Sequence, residues 1–267
     1  MVTGAASGIG RALARAFGAE GMKVVLADVN EPLLQEAADE LTNKGVECVA
    51  LAVDVSEAAA VERLAEHAID RFGSVRVVCN NAGVSTIGKQ WEVGIDDWDW
   101  VIGVCLRGVV NGVRSFVPRM LAHGGPAHVV NTASMGGLLT SPFLGPYAAA
   151  KHAVVGLSKG LRAELAGTEV GVSVVCPGMV RTDILEGTRA YLERTDRGQG
   201  EEARFVFESL ESGLTTGMRT DVAAGIIVRA VKNDQFWVLP NGGVHLPSVR
   251  ADFDEMLASV DGVEGGT

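Results

Sequence analysis

Three side chains near the middle of the chain combine a hydroxyl, a phenol and an ammonium group. Tyr147 and Lys151 are four residues apart and share a face if they lie on a helix, while Ser134 precedes them. A phenol alone is a weak acid–base group at neutral pH, because its ordinary pKa is roughly 10. A neighbouring ammonium stabilises the phenolate, so the trio could exchange a proton with an alcohol or carbonyl oxygen. The alternative is an exposed tyrosine and lysine on an ordinary helix.

The composition is that of a globular domain with an acidic surface. A chain of 267 residues is long enough for one well-buried domain, and 47% of its residues are hydrophobic. The formal net charge of −10 repels nucleic acid and anionic membranes, so we expect neither as a partner. No run of apolar residues approaches the ~18 needed to cross a membrane, and no signal-peptide pattern opens the chain.

The four cysteines show neither paired spacing nor the spacing of metal ligands. Three of them lie in apolar runs typical of strands, which favours buried, reduced thiols and a cytoplasmic location. We therefore expect no metal site. The cysteines are Cys48, Cys79, Cys105 and Cys176.

Apolar runs alternate with amphipathic segments along the chain. Strands are predicted at 23–27, 46–53, 75–79, 127–132, 170–176 and 236–239, and helices at 11–20, 31–44, 56–72, 96–122, 147–165 and 220–231. This alternation predicts an α/β doubly wound fold, a parallel sheet with helices on both faces, in one domain over residues 1–250. Residues 251–267 would form a flexible tail.

Ligands of doubly wound sheets bind beyond the carboxyl ends of the strands. The polar candidates follow strands, as this rule requires; they are Asp28, Asp54, Asn81, Ser134 and the pair Pro177-Gly178.

A glycine turn opens the chain before the first predicted helix. Gly4, Gly8 and Gly10 are spaced G-x-x-x-G-x-G, with Ser7 and Ile9 between them. Glycines let the backbone approach a pyrophosphate, and a helix N-terminus offers unpaired N–H groups to it. A purely structural turn is the alternative.

Asp28 ends the second strand, 20 residues after Gly8. That offset is close to the ~20 residues expected for a carboxylate that binds the adenosine ribose. A carboxylate there would repel the 2′-phosphate of NADP, and no basic residue stands among Ala5, Ala6 and Ser7 to receive one. We therefore expect NAD as the cofactor. A solvated acid at the end of a strand is the alternative.

Five motifs stand in one order over nearly the whole chain: Thr3-Gly4-x-x-x-Gly8-x-Gly10, Asn80-Asn-Ala-Gly83, Ser134, Tyr147-x-x-x-Lys151 and Pro177-Gly178. Together they resemble the classical short-chain dehydrogenase/reductase family. The resemblance implies a Rossmann fold with a seven-stranded parallel sheet, a dinucleotide cofactor, a small-molecule alcohol or ketone as substrate, and a homotetramer or homodimer.

The resemblance also implies a role for each matching residue. Tyr147 would be the catalytic acid–base, Lys151 would activate it and bind the nicotinamide ribose, and Ser134 would hold the substrate oxygen. Asp54 and Val55 correspond to adenine contacts. Asn81, Ala82 and Gly83 would lie beside the adenosine ribose, and Pro177, Gly178, Val180 and Thr182 would cradle the nicotinamide and its phosphate. The cofactor-binding set therefore comprises these residues with Gly4, Ser7, Gly8, Ile9, Gly10 and Asp28, and with Tyr147 and Lys151.

Two features depart from the family pattern. Cys105 occupies the position of a helix asparagine whose surroundings relay protons to the lysine, and a thiol forms weaker hydrogen bonds than an amide. We expect the relay to be weakened rather than abolished, because a backbone carbonyl survives the substitution. An inert helix thiol is the alternative to a special redox role for Cys105. The first strand is also truncated, because only two or three residues precede Gly4; either the natural start lies upstream or this central strand is short.

The expected activity is NAD-dependent interconversion of a secondary alcohol and a ketone. The resemblance implies that residues 183–217 form a lid over the substrate. Apolar residues in this lid, and between Ser134 and Tyr147, favour a bulky apolar substrate. They could equally pack the lid onto the sheet. A catalytically idle protein that senses NAD or scaffolds a complex is the alternative function.

Overall fold

Seven strands form one parallel sheet in the computed structural model, which describes residues 1–194 and 201–261. Their order across the sheet is β3-β2-β1-β4-β5-β6-β7. This arrangement confirms the predicted Rossmann-type fold. The strands are β1 (Val2–Thr3), β2 (Val24–Asp28), β3 (Cys48–Ala52), β4 (Val77–Asn80), β5 (Ala127–Thr132), β6 (Val170–Val175) and β7 (Trp237–Val238).

Helices cover both faces of the sheet. One face packs against α3, α5 and α6, and the other against α1, α2 and α9. Short 3₁₀ turns occupy Met135–Gly137 and Gly242–His245. The helices are α1 (Gly8–Ala19), α2 (Glu31–Asn43), α3 (Ala58–Phe72), α4 (Ile95–Ile102), α5 (Gly108–His123), α6 (Gly145–Glu164), α7 (Ile184–Arg194), α8 (Glu201–Thr216), α9 (Thr220–Lys232) and α10 (Leu246–Asp261).

The strands are mostly apolar, and the central ones are covered by helices on both faces. In β2, Val24 and Leu26 point into the core shared with α1 and α2, whereas Val25 and Ala27 point into the opposite core. Alternate residues of a strand face opposite sides of a sheet, so a strand covered on both sides favours apolar residues. The polar exceptions Asn131 and Ser173 are buried but hydrogen-bonded.

The central strand β1 contains two residues and is extended by a side chain. Val2 pairs with Leu26 on one side and with Cys79 on the other. Beyond the strand, the hydroxyl of Thr3 accepts hydrogen bonds from the backbone N–H groups of Asn81 (2.9 Å) and Ala82 (3.1 Å). Thr3 thus fastens the end of β1 to the chain that leaves β4.

The long helix predicted at 96–122 is interrupted. A π-helical turn, Gly103–Arg107, separates α4 from α5. A wider turn of this kind is uncommon and often lies at a functional site. The combined run Ile95–His123 is long and apolar enough to cross a membrane, but more than half of its most apolar window is buried inside this domain.

Two helices form the segment predicted as a lid, and a helix replaces part of the predicted tail. Helices α7 and α8 lie within residues 183–217, and residues 195–200 between them fall outside the described chain. We expected a flexible tail over 251–267, yet α10 extends to Asp261; residues 262–267 are not described. Pro247 suits the first turn of this helix, and Val249 packs against the main core.

Candidate active site

The predicted functional residues follow the carboxyl ends of the strands, at one edge of the sheet. Asp28 ends β2, Asn81 follows β4 directly, and Ser134 lies two residues after β5. Because all seven strands are parallel, these ends meet at one edge. The sheet therefore gathers residues that are far apart in the sequence.

Ser134 sits where the chain leaves β5 in an extended conformation and begins a 3₁₀ turn. Its hydroxyl oxygen accepts a hydrogen bond from the N–H of Gly136 at 3.0 Å. A Cβ atom at Gly136 would lie 3.3 Å from Cε1 of Tyr147 and 3.4 Å from Oγ of Ser134. Because Gly136 has no side chain, the Tyr147 ring and the Ser134 hydroxyl can both lie close to the same point.

Helix α6 presents Tyr147 and Lys151 on one face. Pro146 occupies its first turn, where a missing N–H costs little. Lys151 is 2% exposed, and its ammonium donates a hydrogen bond to the carbonyl oxygen of Thr132 at 2.8 Å. The same ammonium lies 5.6 Å from the centre of the Tyr147 ring. A fixed positive charge therefore lies beside the phenol.

Cys105 lies behind Lys151, in the π-helical turn. Its thiol accepts a hydrogen bond from the N–H of Val84 (3.3 Å) and donates one to the carbonyl oxygen of Val84 (3.1 Å). A Cβ atom at Gly83 would lie 3.5 Å from the Lys151 ammonium nitrogen and 3.7 Å from the Cys105 sulfur. The space left by the missing Gly83 side chain thus lies close to both the ammonium and the thiol.

The glycine turn forms a compact cradle before α1. Gly4 and Gly8 have φ values of 64° and 53°, which favour glycine. A Cβ atom at Gly10 would overlap the carbonyl oxygen of Gly4. Ser7 precedes the helix without capping it through its side chain. The first N–H groups of α1 therefore remain without a side-chain cap, as an anion site requires.

Asp28 fixes the outer side of this cradle. One carboxylate oxygen accepts a hydrogen bond from the N–H of Ala6 at 3.1 Å, and the other accepts one from the N–H of Asn30 at 3.0 Å. Each carboxylate oxygen can accept a further hydrogen bond. Asp28 is thus anchored next to the glycine turn and retains acceptor capacity for a ribose hydroxyl.

The remaining predicted residues line the same edge. Asn81 donates from its side chain to the carbonyl oxygen of Thr3 at 3.1 Å. A Cβ atom at Gly8 would lie 3.2 Å from the Thr182 methyl carbon, which brings the loop after β6 to the start of α1. The carboxylate of Asp54 accepts hydrogen bonds from the N–H and hydroxyl of Ser56.

Several supporting residues were not predicted from the sequence. Asn111, on α5, donates from its side-chain amide to the carbonyl oxygen of Val55 at 2.9 Å and so holds the predicted adenine loop. Thr132 supplies the carbonyl oxygen that Lys151 contacts. Asn111 could have been found from the sequence, because it is a polar residue next to the apolar pair Val109-Val110. Thr132 could not, because it contributes a backbone carbonyl, which any residue type has.

Two of the buried cysteines, Cys79 and Cys176, are neutral thiols. Burial raises the pKa of Cys79 and of Cys176, each to about 12. A thiol is a poor nucleophile until it ionises, so neither residue suits covalent catalysis. All four cysteines are free of disulfide bonds.

A cavity lies away from this site, and the described residues form no cluster of metal-binding side chains. Within residues 1–194 and 201–261, no group of three or more His, Cys, Asp or Glu side chains is placed to hold a metal ion. A cavity of about 680 Å³ opens at the opposite edge of the sheet, where His128, Arg162 and Asp234 contribute to its lining. It contains none of the predicted site residues.

Comparison with known proteins identifies relatives along almost the whole chain. Residues 1–192 match the family model described as short chain dehydrogenase. A 1-deoxy-11-beta-hydroxypentalenate dehydrogenase of Streptomyces exfoliatus is 38% identical over 97% of this chain and 88% of its own length. A C alpha-dehydrogenase of Sphingobium sp. strain SYK-6 is 34% identical over 97% of this chain and 84% of its own.

Solved structures agree with this assignment. A short-chain dehydrogenase/reductase from Burkholderia phymatum, crystallised in complex with NAD, has a TM-score of 0.92 and 39% identity over 97% of this chain and 93% of its own. The seven-stranded sheet, the order of the motifs and these similarities lead to one conclusion. The chain belongs to the short-chain dehydrogenase family of oxidoreductases.

Proposed function

We propose that this protein interconverts a secondary alcohol and a ketone, with NAD as its preferred cofactor and Tyr147 as the acid–base. The observation that carries the proposal is the buried ammonium of Lys151, which lies 5.6 Å from the centre of the Tyr147 ring. An ammonium at that position stabilises a phenolate, the form that can accept a proton from an alcohol.

The glycine cradle supports binding of a dinucleotide. The close approach of Gly10 to Gly4 and the α1 N-terminus without a side-chain cap suit a pyrophosphate. The nicotinamide ring of the bound cofactor supplies the hydride acceptor. Gly4, Gly8 and Gly10 would hold its pyrophosphate, and Asp28 would hold its adenosine ribose.

The chain's own residues manage the proton. In oxidation, the hydroxyl of Ser134 would hydrogen-bond to the substrate oxygen and orient it toward Tyr147. The Tyr147 phenolate would then accept the hydroxyl proton as the carbon–oxygen double bond forms. Lys151 would stabilise the phenolate before this transfer, and its hydrogen bond to Thr132 keeps the ammonium in place.

The preference for NAD rests on Asp28. Its carboxylate is held by the N–H groups of Ala6 and Asn30, beside the first strand-to-helix turn. A negative charge there would accept a hydrogen bond from a 2′-hydroxyl and repel a 2′-phosphate. The Burkholderia phymatum relative was crystallised with NAD, which supports the same preference.

The proposed substrate is bulky and apolar. Ile87, Leu185 and Phe207 are buried in a cluster that joins the lid to the body, so these residues serve packing. Phe143 and Leu144 also pack against this cluster but are only partly buried, shortly before Tyr147 in the sequence. The relative named for a hydroxypentalenate supports a substrate of this class.

Turnover by Tyr147→Phe tests the proposal. With a panel of secondary alcohols and ketones, followed by NADH absorbance, we expect the wild type to turn over and the variant to lose nearly all activity. NADH binding by the variant is the control, because only the hydroxyl is removed. Full activity in Tyr147→Phe would refute the assignment. A wild type that binds NADH but turns over no compound would favour an idle NAD sensor.

The resemblance also leads us to propose a cytoplasmic homotetramer or homodimer. The native mass of the purified chain, measured by light scattering, tests the oligomeric part of this proposal. A monomer at micromolar concentration would contradict it.

A further inference from the structure

The loop that follows β6 is held by backbone contacts at its two ends. The N–H of Met135 donates to the carbonyl oxygen of Pro177 at 2.8 Å, which ties the loop to the turn that carries Ser134. The N–H of Met218 donates to the carbonyl oxygen of Met179 at 2.9 Å, which ties it to the chain after α8. Between these anchors, the N–H of Gly178 has only a long backbone hydrogen bond, 3.4 Å to the carbonyl oxygen of Pro240, so it can take a closer partner.

Asn241, in the loop after β7, provides that partner. Its side-chain oxygen accepts a hydrogen bond from the N–H of Gly178 at 3.1 Å. Its side-chain nitrogen donates to the carbonyl oxygen of Met179 at 2.7 Å. One amide therefore adds a hydrogen bond to a donor and to an acceptor on consecutive residues, which neither a carboxylate nor an aliphatic side chain can do.

The backbone of Asn241 is adapted to this role. Its φ is 50°, in the left-handed region that asparagine tolerates better than most residues. A Cβ atom at Gly178 would lie 3.2 Å from the side-chain oxygen of Asn241 and 3.2 Å from Nε2 of His245. The loop is thus seated closely against the residues that follow β7.

We propose that Asn241 is a positioning residue for the nicotinamide end of the cofactor. This inference rests on the proposed function, in which Pro177, Gly178, Val180 and Thr182 cradle the nicotinamide and its phosphate. By fixing Gly178 and Met179, Asn241 sets the surface on which the ring lies. Its side-chain hydrogen bonds hold this loop, and we assign it no part in proton transfer.

The adenosine end of the cofactor would lie on the half of the sheet that contains β2, away from Asn241. Asp28 ends β2, whereas Asn241 follows β7 and holds the loop that leaves β6. Strands β2 and β6 are separated by β1, β4 and β5, so they lie roughly 19 Å apart at about 4.8 Å per strand. A change at Asn241 should therefore affect the nicotinamide and spare the adenosine.

Binding of NADH compared with ADP-ribose, which lacks the nicotinamide, separates the two ends. We would measure both affinities by calorimetry on the full chain for the wild type, Asn241→Gly and Asn241→Asp. Glycine tolerates the left-handed backbone and removes both hydrogen bonds, while aspartate keeps the shape and the acceptor but loses the donor. Asp234→Gly is the matched control. Asp234 also has a left-handed φ (49°), but it precedes β7 and so lies at the amino-terminal ends of the strands, away from the site.

We expect Asn241→Gly to weaken NADH binding roughly tenfold, the scale of two lost hydrogen bonds, while ADP-ribose binding changes less than about twofold. Asn241→Asp should weaken NADH binding by a smaller factor, and Asp234→Gly should change neither affinity. If Asn241→Gly weakened the binding of NADH and of ADP-ribose equally, or weakened neither, the inference would be overturned. If the wild type bound neither NADH nor ADP-ribose, the proposed function itself would be refuted. If it bound NADH but turned over no substrate, the positioning role of Asn241 would still stand.

Discussion

The thiol of Cys105 and the backbone of Val84 exchange two hydrogen bonds, one in each direction. A thiol is a weak donor and a weak acceptor, yet both of its functions are used here. The chain that follows Gly83 is thereby tied to the π-helical turn. Cys105, at the position of the family's asparagine, thus makes a two-way contact with Val84.

Cys105→Ala should reduce both stability and turnover. Alanine leaves the N–H and carbonyl oxygen of Val84 without this partner, at a cost of about 1 kcal/mol for each lost bond. The Gly83 backbone beside Lys151 would lose its support, so we also expect kcat to fall. Thermal unfolding and steady-state kinetics measure the two effects. Cys105→Ser, which retains a donor and an acceptor, is the control, and an unchanged Cys105→Ala would show that the contact is dispensable.

Lys151→Met should abolish most of the activity while the fold is kept. Methionine fills a similar volume but removes the charge beside Tyr147 and the hydrogen bond to Thr132. General acid–base catalysis contributes roughly 10²–10⁴-fold in rate, so we expect a loss in kcat of about 100-fold or more. Circular dichroism and a thermal melt verify the fold. Activity within about threefold of the wild type would contradict the role of the ammonium.

Asp28→Asn should relax the choice between cofactors. The amide oxygen can still accept the hydrogen bond from Ala6, so the glycine turn keeps its support, but the negative charge is gone. We expect the ratio of kcat/KM for NAD to that for NADP to fall by at least about tenfold, because like-charge repulsion is removed. Kinetics with both cofactors test this, and an unchanged ratio would exclude Asp28 as the determinant.

His128 should make the domain less stable in mild acid. It is buried, its Nε2 lies 2.8 Å from the Ser173 hydroxyl, and burial lowers its pKa although the Asp234 carboxylate opposes that shift. Below about pH 6.5 the unfolded chain takes up a proton that the folded protein resists, so the free energy of unfolding falls as the pH decreases.

Urea unfolding at several pH values between 7 and 5 measures this dependence. In His128→Gln, which cannot titrate, the loss of stability on acidification should be smaller than in the wild type. Equal slopes for the two proteins would assign the acid sensitivity to other groups.

Much of the fold follows from local sequence signals. Strands such as β2 and β6 are mostly apolar, with Asp28 and Ser173 as the polar exceptions, and that pattern favours a sheet buried on both faces. The order of the motifs then places Asp28, Asn81 and Ser134 at one edge. These predictions depend on residue type and spacing, which the sequence contains directly.

Other features depend on contacts between distant segments. Asn241 is separated from Gly178 by more than sixty residues, and its role is visible only when β6 and β7 pair. The π-helical turn lies within a sequence that suits an ordinary helix, so periodicity predicts one continuous element. Helix α10 is largely exposed, and its boundary with the expected tail has no strong sequence signal.

The contacts of Thr3 and Asn241 have a consequence for the order of folding. Thr3 holds the residues after β4, and Asn241 holds the loop after β6, so the proposed cofactor cradle draws on both the first and the last strand. Contacts between residues so far apart in the sequence form late in folding. The chain between them must first lose conformational entropy as it closes into a loop. The cradle is therefore complete only after β7 has joined the sheet. A ligand that binds it selects fully folded molecules and stabilises them by mass action.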